Sequence, residues 1–284
     1  MPSRRSSPSV RLRRLAAQLR ELREGAGLTQ EDVSERTGKD RSTLYRLESA
    51  HQRPQKSTLI QLLDLYGVAE PQRGELLTLL RDAGQRGWMR PYRSELPDVY
   101  SDYIGFEDQA RSISNYESLF VPGLLQTEAY ARAQLRGTLP TASEGEIESR
   151  VAARMERQPV LAKDEAPKLW AIVDEAALRR LVGGREVMRG QAARLLEARS
   201  LPNVTIQAIP YGAGAHPGMD GSFVILNFPD GDDPIVYVES AAGGLFLEED
   251  AEMRRYILMF EHLRAAASGL DATAALLEAI VSEI

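Results

Sequence analysis

The sequence contains no cysteine, so disulfides and thiolate metal sites are both excluded. Lysine is also scarce. Among 35 basic residues only Lys39, Lys56, Lys163 and Lys168 are lysines, and the remainder are arginines. That bias, with abundant alanine and glycine, fits a GC-rich coding genome, although a cause at the protein level fits it too. No segment approaches the ~18 consecutive apolar residues that a membrane span requires. The basic N-terminus has no apolar stretch of signal-peptide kind behind it. A cytoplasmic protein with no membrane association is therefore expected. What is present is an ordinary globular balance, 43% hydrophobic and 27% charged, over a length that suggests two domains.

The net charge of −6 conceals a division. Residues 1–93 carry 18 basic and 11 acidic side chains, whereas residues 94–284 carry 17 basic and 30 acidic ones. A basic head on an acidic body points to a polyanion-binding segment joined to one that does not bind polyanions.

Periodicity divides the chain further. Residues 1–11 are rich in Ser, Arg and Pro and are expected to form a disordered basic arm. Leu12, Leu15, Ala16, Leu19 and Leu22 then repeat with helical spacing until Gly25 and Gly27. Thr29, with Asp32 three places on, caps a second helix running to Thr37. Gly38 turns the chain into a third helix from Arg41 to about Ser49. A fourth helix covers Leu59 to Tyr66 and a fifth Glu75 to Ala83, giving an all-α five-helix domain over 12–84. A junction with Gly87, Pro91 and Pro97 is expected over 85–100. The second domain, 101–284, is expected to be α+β. Strands are expected at 169–173, 204–209, 223–228 and 235–238, and helices at 185–199, 249–267 and 272–284.

The segment from Leu28 to Glu48 carries the chemistry. Val33 and Thr37 on one short helix and Leu44 and Leu47 on the next can hold the two at a fixed angle, with small Ser34 letting them approach. The second helix then presents Arg41, Ser42, Tyr45 and Arg46 outward. Such a face suits the major groove, which admits an α-helix and shows a distinct donor and acceptor pattern for each base pair. A glycine between two short helices is also a common αα-hairpin, so spacing alone does not decide.

With Leu28-Thr29-Gln30-Glu31 and Leu44-Tyr45-Arg46-Leu47-Glu48 in place, residues 12–67 resemble the lambda-repressor/Cro, or xenobiotic-response-element, class of helix-turn-helix domains. The resemblance implies a phosphate contact for Gln30 at a helix N-terminus. It implies base reading for Arg41 and Ser42, with Tyr45 and Arg46 one turn further on. It also implies a structural ion pair between Arg23 and Glu48. Lys39 stands where the class usually has an apolar residue, and it is assigned to a phosphate. For Arg4, Arg5, Arg11, Arg13 and Arg14, solvated charge and DNA contact both remain open.

Residues 88–284 resemble an uncharacterised domain found behind such heads in actinobacterial regulators. The resemblance is carried by Gly87-Trp88, Tyr103-Ile104-Gly105-Phe106-Glu107, Val121 through Tyr130, the segment 210–223, Tyr237-Val238-Glu239 and Gly243-Gly244-Leu245. It implies a regulator encoded beside a small partner protein. Glu107, Glu117, Gln126, His216 and Glu239 are the candidate ligand or partner residues, with structural hydrogen bonding as the alternative. The spacing Gly212-x-Gly214-x-x-x-Gly218 does not suit a dinucleotide loop. His216 lacks a second histidine nearby for a metal site. No cofactor, metal or enzymatic activity is expected. The expectation is a sequence-specific DNA-binding regulator, such as a repressor, working as a homodimer on double-stranded DNA. A small protein from a neighbouring gene or a small-molecule effector would control it through the second domain. The alternative is an antitoxin-like interaction module that inhibits that small protein.

Overall fold

Leucines at helical spacing fold the first helix, α1 (Val10–Gly25), which buries Leu15 and Leu19 on one side. Helix α2 (Gln30–Thr37) begins at a complete capping box. The Thr29 hydroxyl accepts from the Asp32 amide, and the Asp32 carboxylate accepts from the Thr29 amide. Helix α2 ends at Gly38, whose φ of 70° is left-handed and whose N–H reaches the Ser34 carbonyl. Helices α3 (Arg41–Glu48), α4 (Lys56–Leu65) and α5 (Gln72–Asp82) follow. Their leucines close one core with α1 and α2, made of Leu15, Leu19, Val33, Leu44, Leu47, Leu59, Leu62, Leu63, Leu76 and Leu80. Burial of this stripe, more than helix propensity, holds helices this short.

The computed structural model describes residues 10–82, 96, 98–229, 233–240, 243–247 and 249–283. The chain divides into two compact units, Met1–Arg90 and Pro91–Ile284. Val10 and Arg11, expected in a disordered arm, are the first residues of α1. The rest of the arm, with Arg4 and Arg5, lies outside the described residues, as does the Gly87-Trp88 motif.

The second unit is α+β, as expected, but contains more structure than the periodicity indicated. Helix α6 (Asp98–Gln109) begins within the segment expected to be a junction. It leads into β1 (Ser112–Glu117), followed by α7 (Glu128–Thr138) and α8 (Glu144–Arg157). Strand β2 (Lys168–Asp174), helices α9 (Glu175–Arg179) and α10 (Arg185–Ala198), and strand β3 (Val204–Ile209) come next. Strands β4 (Phe223–Asn227), β5 (Ile235–Ser240) and β6 (Gly243–Leu247) precede the last helices, α11 (Asp250–Ala266) and α12 (Leu270–Glu283).

The six strands form one mixed sheet in the order β3-β2-β1-β4-β5-β6. Strands β1, β2 and β3 are parallel and joined by helical crossovers, whereas β4, β5 and β6 form an antiparallel meander. One sheet face supplies Tyr116, Ile172, Phe223, Ile225 and Val236 to a core closed by Met253, Phe260 and Leu263 of α11. Ile257 of the same helix is instead 40% exposed. No single helix among the described residues is long and apolar enough to cross a membrane.

Candidate nucleic-acid interface

Helix α3 is amphipathic in the sense the interface needs. Leu44 and Leu47 are buried beneath it, while Arg41, Ser42 and Tyr45 are exposed above. Gln30, Arg41, Ser42, Tyr45 and Arg46 line a single open surface concavity. Tyr45 is 59% exposed, unusual for a ring with no structural task, and it leaves the aromatic face free for a partner. The Arg46 guanidinium is folded along its own helix, donating to the Ser42 carbonyl at 3.2 Å and to the Thr43 hydroxyl at 3.3 Å. Lys39 precedes α3, is partly buried, and does not line the concavity. Its carbonyl accepts from the Ser34 hydroxyl at 2.7 Å, tightening the turn.

Beneath this face lies a polar clamp. Arg23 Nε donates to Glu48 Oε1 at 2.7 Å, and Nη2 to Oε2 at 3.1 Å. Its remaining amino group, Nη1, donates to the Leu28 carbonyl at 2.8 Å. Both side chains of this pair are nearly buried. Donating these hydrogen bonds to Glu48 holds the Arg23 guanidinium even more firmly protonated than usual. Gln30 Nε2 donates to the same Glu48 Oε2 at 2.8 Å, one of the two hydrogens its amide nitrogen carries. One carboxylate thus joins α1, the start of α2 and the end of α3.

In the second unit, four of the five candidate residues converge, and they do so around two arginines of α8. Glu107 is buried, accepts from the Tyr103 hydroxyl at 2.8 Å, and pairs with Arg157 at 3.3 Å. Burial pushes the Glu107 carboxyl up, while Arg157 and Tyr103 pull it down. Gln126 accepts from Arg154 at 2.8 Å and donates to the Val121 carbonyl at 2.7 Å. Glu117 takes a weak hydrogen bond from Asn115 at 3.4 Å. Burial raises its carboxyl to about 7 against the opposing pull of Ser222 and Asn115, and the charge of Glu239 adds to the rise. Glu239 is exposed at the end of β5 and bears electrostatically on Arg157 and Tyr237 as well. The Arg157 guanidinium lies over the rings of Tyr100 and Tyr103, and Tyr103 stacks on Tyr237 at 4.4 Å.

His216 is not part of this cluster. Its Nε2 lies 3.3 Å from Asp174 at the end of β2, and its ring meets the edge of Tyr116. It fastens the segment before β4, where Gly218 has no room for a side chain beneath Tyr116. Among the described residues no group of three or more acidic or histidine side chains could hold a metal ion.

Residues 100–279 match the family described as Domain of unknown function (DUF5753), and residues 14–76 match the Helix-turn-helix domain. The chain belongs to the DUF5753 family. No curated protein and no solved structure matches it. The helix-turn-helix match supports a DNA-binding regulator, in keeping with the exposed face of α3. The DUF5753 domain comprises α6 to the middle of α12, the whole mixed sheet included.

Sequence reasoning missed Arg154, Arg157 and the tyrosines that surround them in this DUF5753 domain. A signal existed, since Arg157 falls four residues after buried Ala153, on the inner side of α8. An arginine at a buried helical position needs a carboxylate, and Glu107 supplies it.

Proposed function

We propose that this DUF5753 protein is a transcriptional regulator of the lambda-repressor/Cro type that reads double-stranded DNA through α3. The observation that carries this is the grouping of Gln30, Arg41, Ser42, Tyr45 and Arg46 around one open concavity over a rigid clamp. Arg41 and Ser42, first in the helix, reach base edges; Gln30 and Lys39 hold phosphates. Two copies act together on an inverted repeat, because one short helix reads few base pairs and two-fold pairing doubles the contacts. The DUF5753 domain has no catalytic task. It receives the controlling signal, a small protein from a neighbouring gene or a small molecule, with the Glu107, Glu117, Gln126, Glu239 cluster as the responsive element.

The test is a comparison of variants on operator and on random DNA. Arg41→Ala should cost about 1–3 kcal/mol on operator and relax preference at one position per half-site. Gln30→Ala should weaken all sequences about equally, since phosphates carry no sequence information. Equal losses on both DNAs for Arg41→Ala would overturn the assignment of the reading face.

A further inference from the structure

The two edges of the sheet are treated differently. The outer edge of β3 is covered by the chain itself. Ser268 donates its N–H to the Ala208 carbonyl at 2.8 Å, the Thr273 hydroxyl accepts from the Ala208 N–H at 3.1 Å, and Gln207 donates to the Ser268 carbonyl at 3.0 Å. Among the described residues the β6 edge has no such cover. Among them, β6 is hydrogen-bonded only to β5, whose Ser240 hydroxyl also donates to the Gly243 carbonyl. Native sheets protect an open edge with charge, proline or a bulge. Strand β6, Gly-Gly-Leu-Phe-Leu, has neither charge nor proline, and its central Leu245 is 59% exposed.

We propose that β6 pairs antiparallel with β6 of a second copy, so that two DUF5753 domains share one continuous twelve-stranded sheet about a two-fold axis at Leu245. This rests on the dimeric action proposed above and names the surface that produces it. The strand is self-complementary in that register. Leu245 faces its own copy, Gly244 faces Phe246, and Gly243 faces Leu247, so each glycine meets a large apolar side chain and no pair is overcrowded. The inner face is already rigid: Phe246 packs against Phe106 at 5.0 Å and against Tyr237 at 5.2 Å. Gly244 is a glycine because Tyr237 lies across it.

Charge favours a second copy in this register over the parallel alternative. Glu249 and Asp250 follow the strand. In antiparallel pairing about Leu245 the two copies of Leu247 lie about 14 Å apart along the ladder at a strand rise of about 3.4 Å, so the acidic segments leave from opposite ends, beyond the screening length of about 8 Å. Parallel pairing would set them side by side. The arrangement is isologous and closed, so it gives a dimer and no fibre.

The absence of cysteine makes the test direct. Leu245→Cys introduces a single thiol. Residues directly opposite on antiparallel strands have Cα atoms about 4.5–5.5 Å apart, within disulfide reach. Under mild oxidation the full chain carrying Leu245→Cys should become a covalent dimer. Leu258→Cys, equally exposed but on α11, should not. Leu245→Lys, by sedimentation equilibrium, should raise the dimer dissociation constant about tenfold or more, because like charges would face each other directly. Leu258→Lys should leave that constant unchanged. A dimeric wild type with no Leu245→Cys cross-link would overturn the pairing and leave dimeric action standing with another interface. A wild type that remains monomeric while filling its operator would overturn both. A Leu245→Cys cross-link equalled by Leu258→Cys would show chance collision, and would likewise overturn the pairing.

Discussion

Arg23 and Glu48, 25 residues apart in sequence, meet through two parallel hydrogen bonds of 2.7 and 3.1 Å beneath the exposed face of α3. A bidentate contact fixes angle as well as distance, so the pitch of α3 against α1 is set by one carboxylate. Leu44 and Leu47 supply the burial energy, and the ion pair supplies the orientation.

Removing one partner of such a pair strands the other. Glu48→Ala leaves Arg23 nearly buried without its carboxylate and frees Gln30, and should cost about 3–5 kcal/mol of head stability. Thermal melting of the head transition checks this, together with a loss of operator affinity. Replacing the pair with Arg23→Met and Glu48→Leu should recover much of the stability.

Leu44→Ala should abolish DNA binding by a different route. Leu44 is 1% exposed and part of the head core. Its truncation should cost about 2–5 kcal/mol, a large share of a small helical domain's stability. Calorimetry should show a lower melting temperature. Normal melting with no binding would place Leu44 on the DNA face instead.

The DUF5753 domain should lose stability as pH rises through neutrality. Burial holds the Glu117 carboxyl at about 7 in the folded chain, against an ordinary value of 4.5. The fold therefore favours the protonated side chain. Its contribution is complete below about pH 4.5 and is lost as pH climbs through 7. Glu117→Gln, which stays neutral, should melt with a flatter pH dependence between pH 5 and 8. Identical profiles for the two chains would show that Glu117 does not titrate there.

Salt dependence should report the head alone. Residues 94–284 hold 30 acidic and 17 basic side chains, a poor surface for phosphates. Counterion release counts phosphate contacts, so a chain ending at Arg90 should keep the salt slope, per bound head, of the full chain. Its affinity should fall if the DUF5753 domain supplies dimerisation, and a fused dimerising helix should restore it. A steeper slope for the full chain would show that the second domain also touches DNA.

The sequence by itself determined the head. Its helices are set by local signals: a leucine repeat, the Thr29–Asp32 capping box, and Gly38 at a left-handed φ. The strands with apolar runs, β2 to β5, were legible for the same reason, as were α10, α11 and α12. Strand β1, Ser-Ile-Ser-Asn-Tyr-Glu, was not, although it lies at the centre of the sheet. Its polar residues become tolerable only once Asn115 and Glu117 enter a side-chain network drawn from distant segments. Helices α7 and α8 carried caps at Thr127 and Ser143 that could have revealed them. Likewise, Glu107, Glu117, Gln126 and Glu239 stood out singly as polar residues in apolar motifs, and only the folded sheet brought them to Arg154 and Arg157. His216 stood out equally and was carried to Asp174 instead. Helix periodicity and capping act over a few residues and are written locally. The partners of a buried charge, and which sheet edge is left open, depend on strand order, which no local pattern encodes.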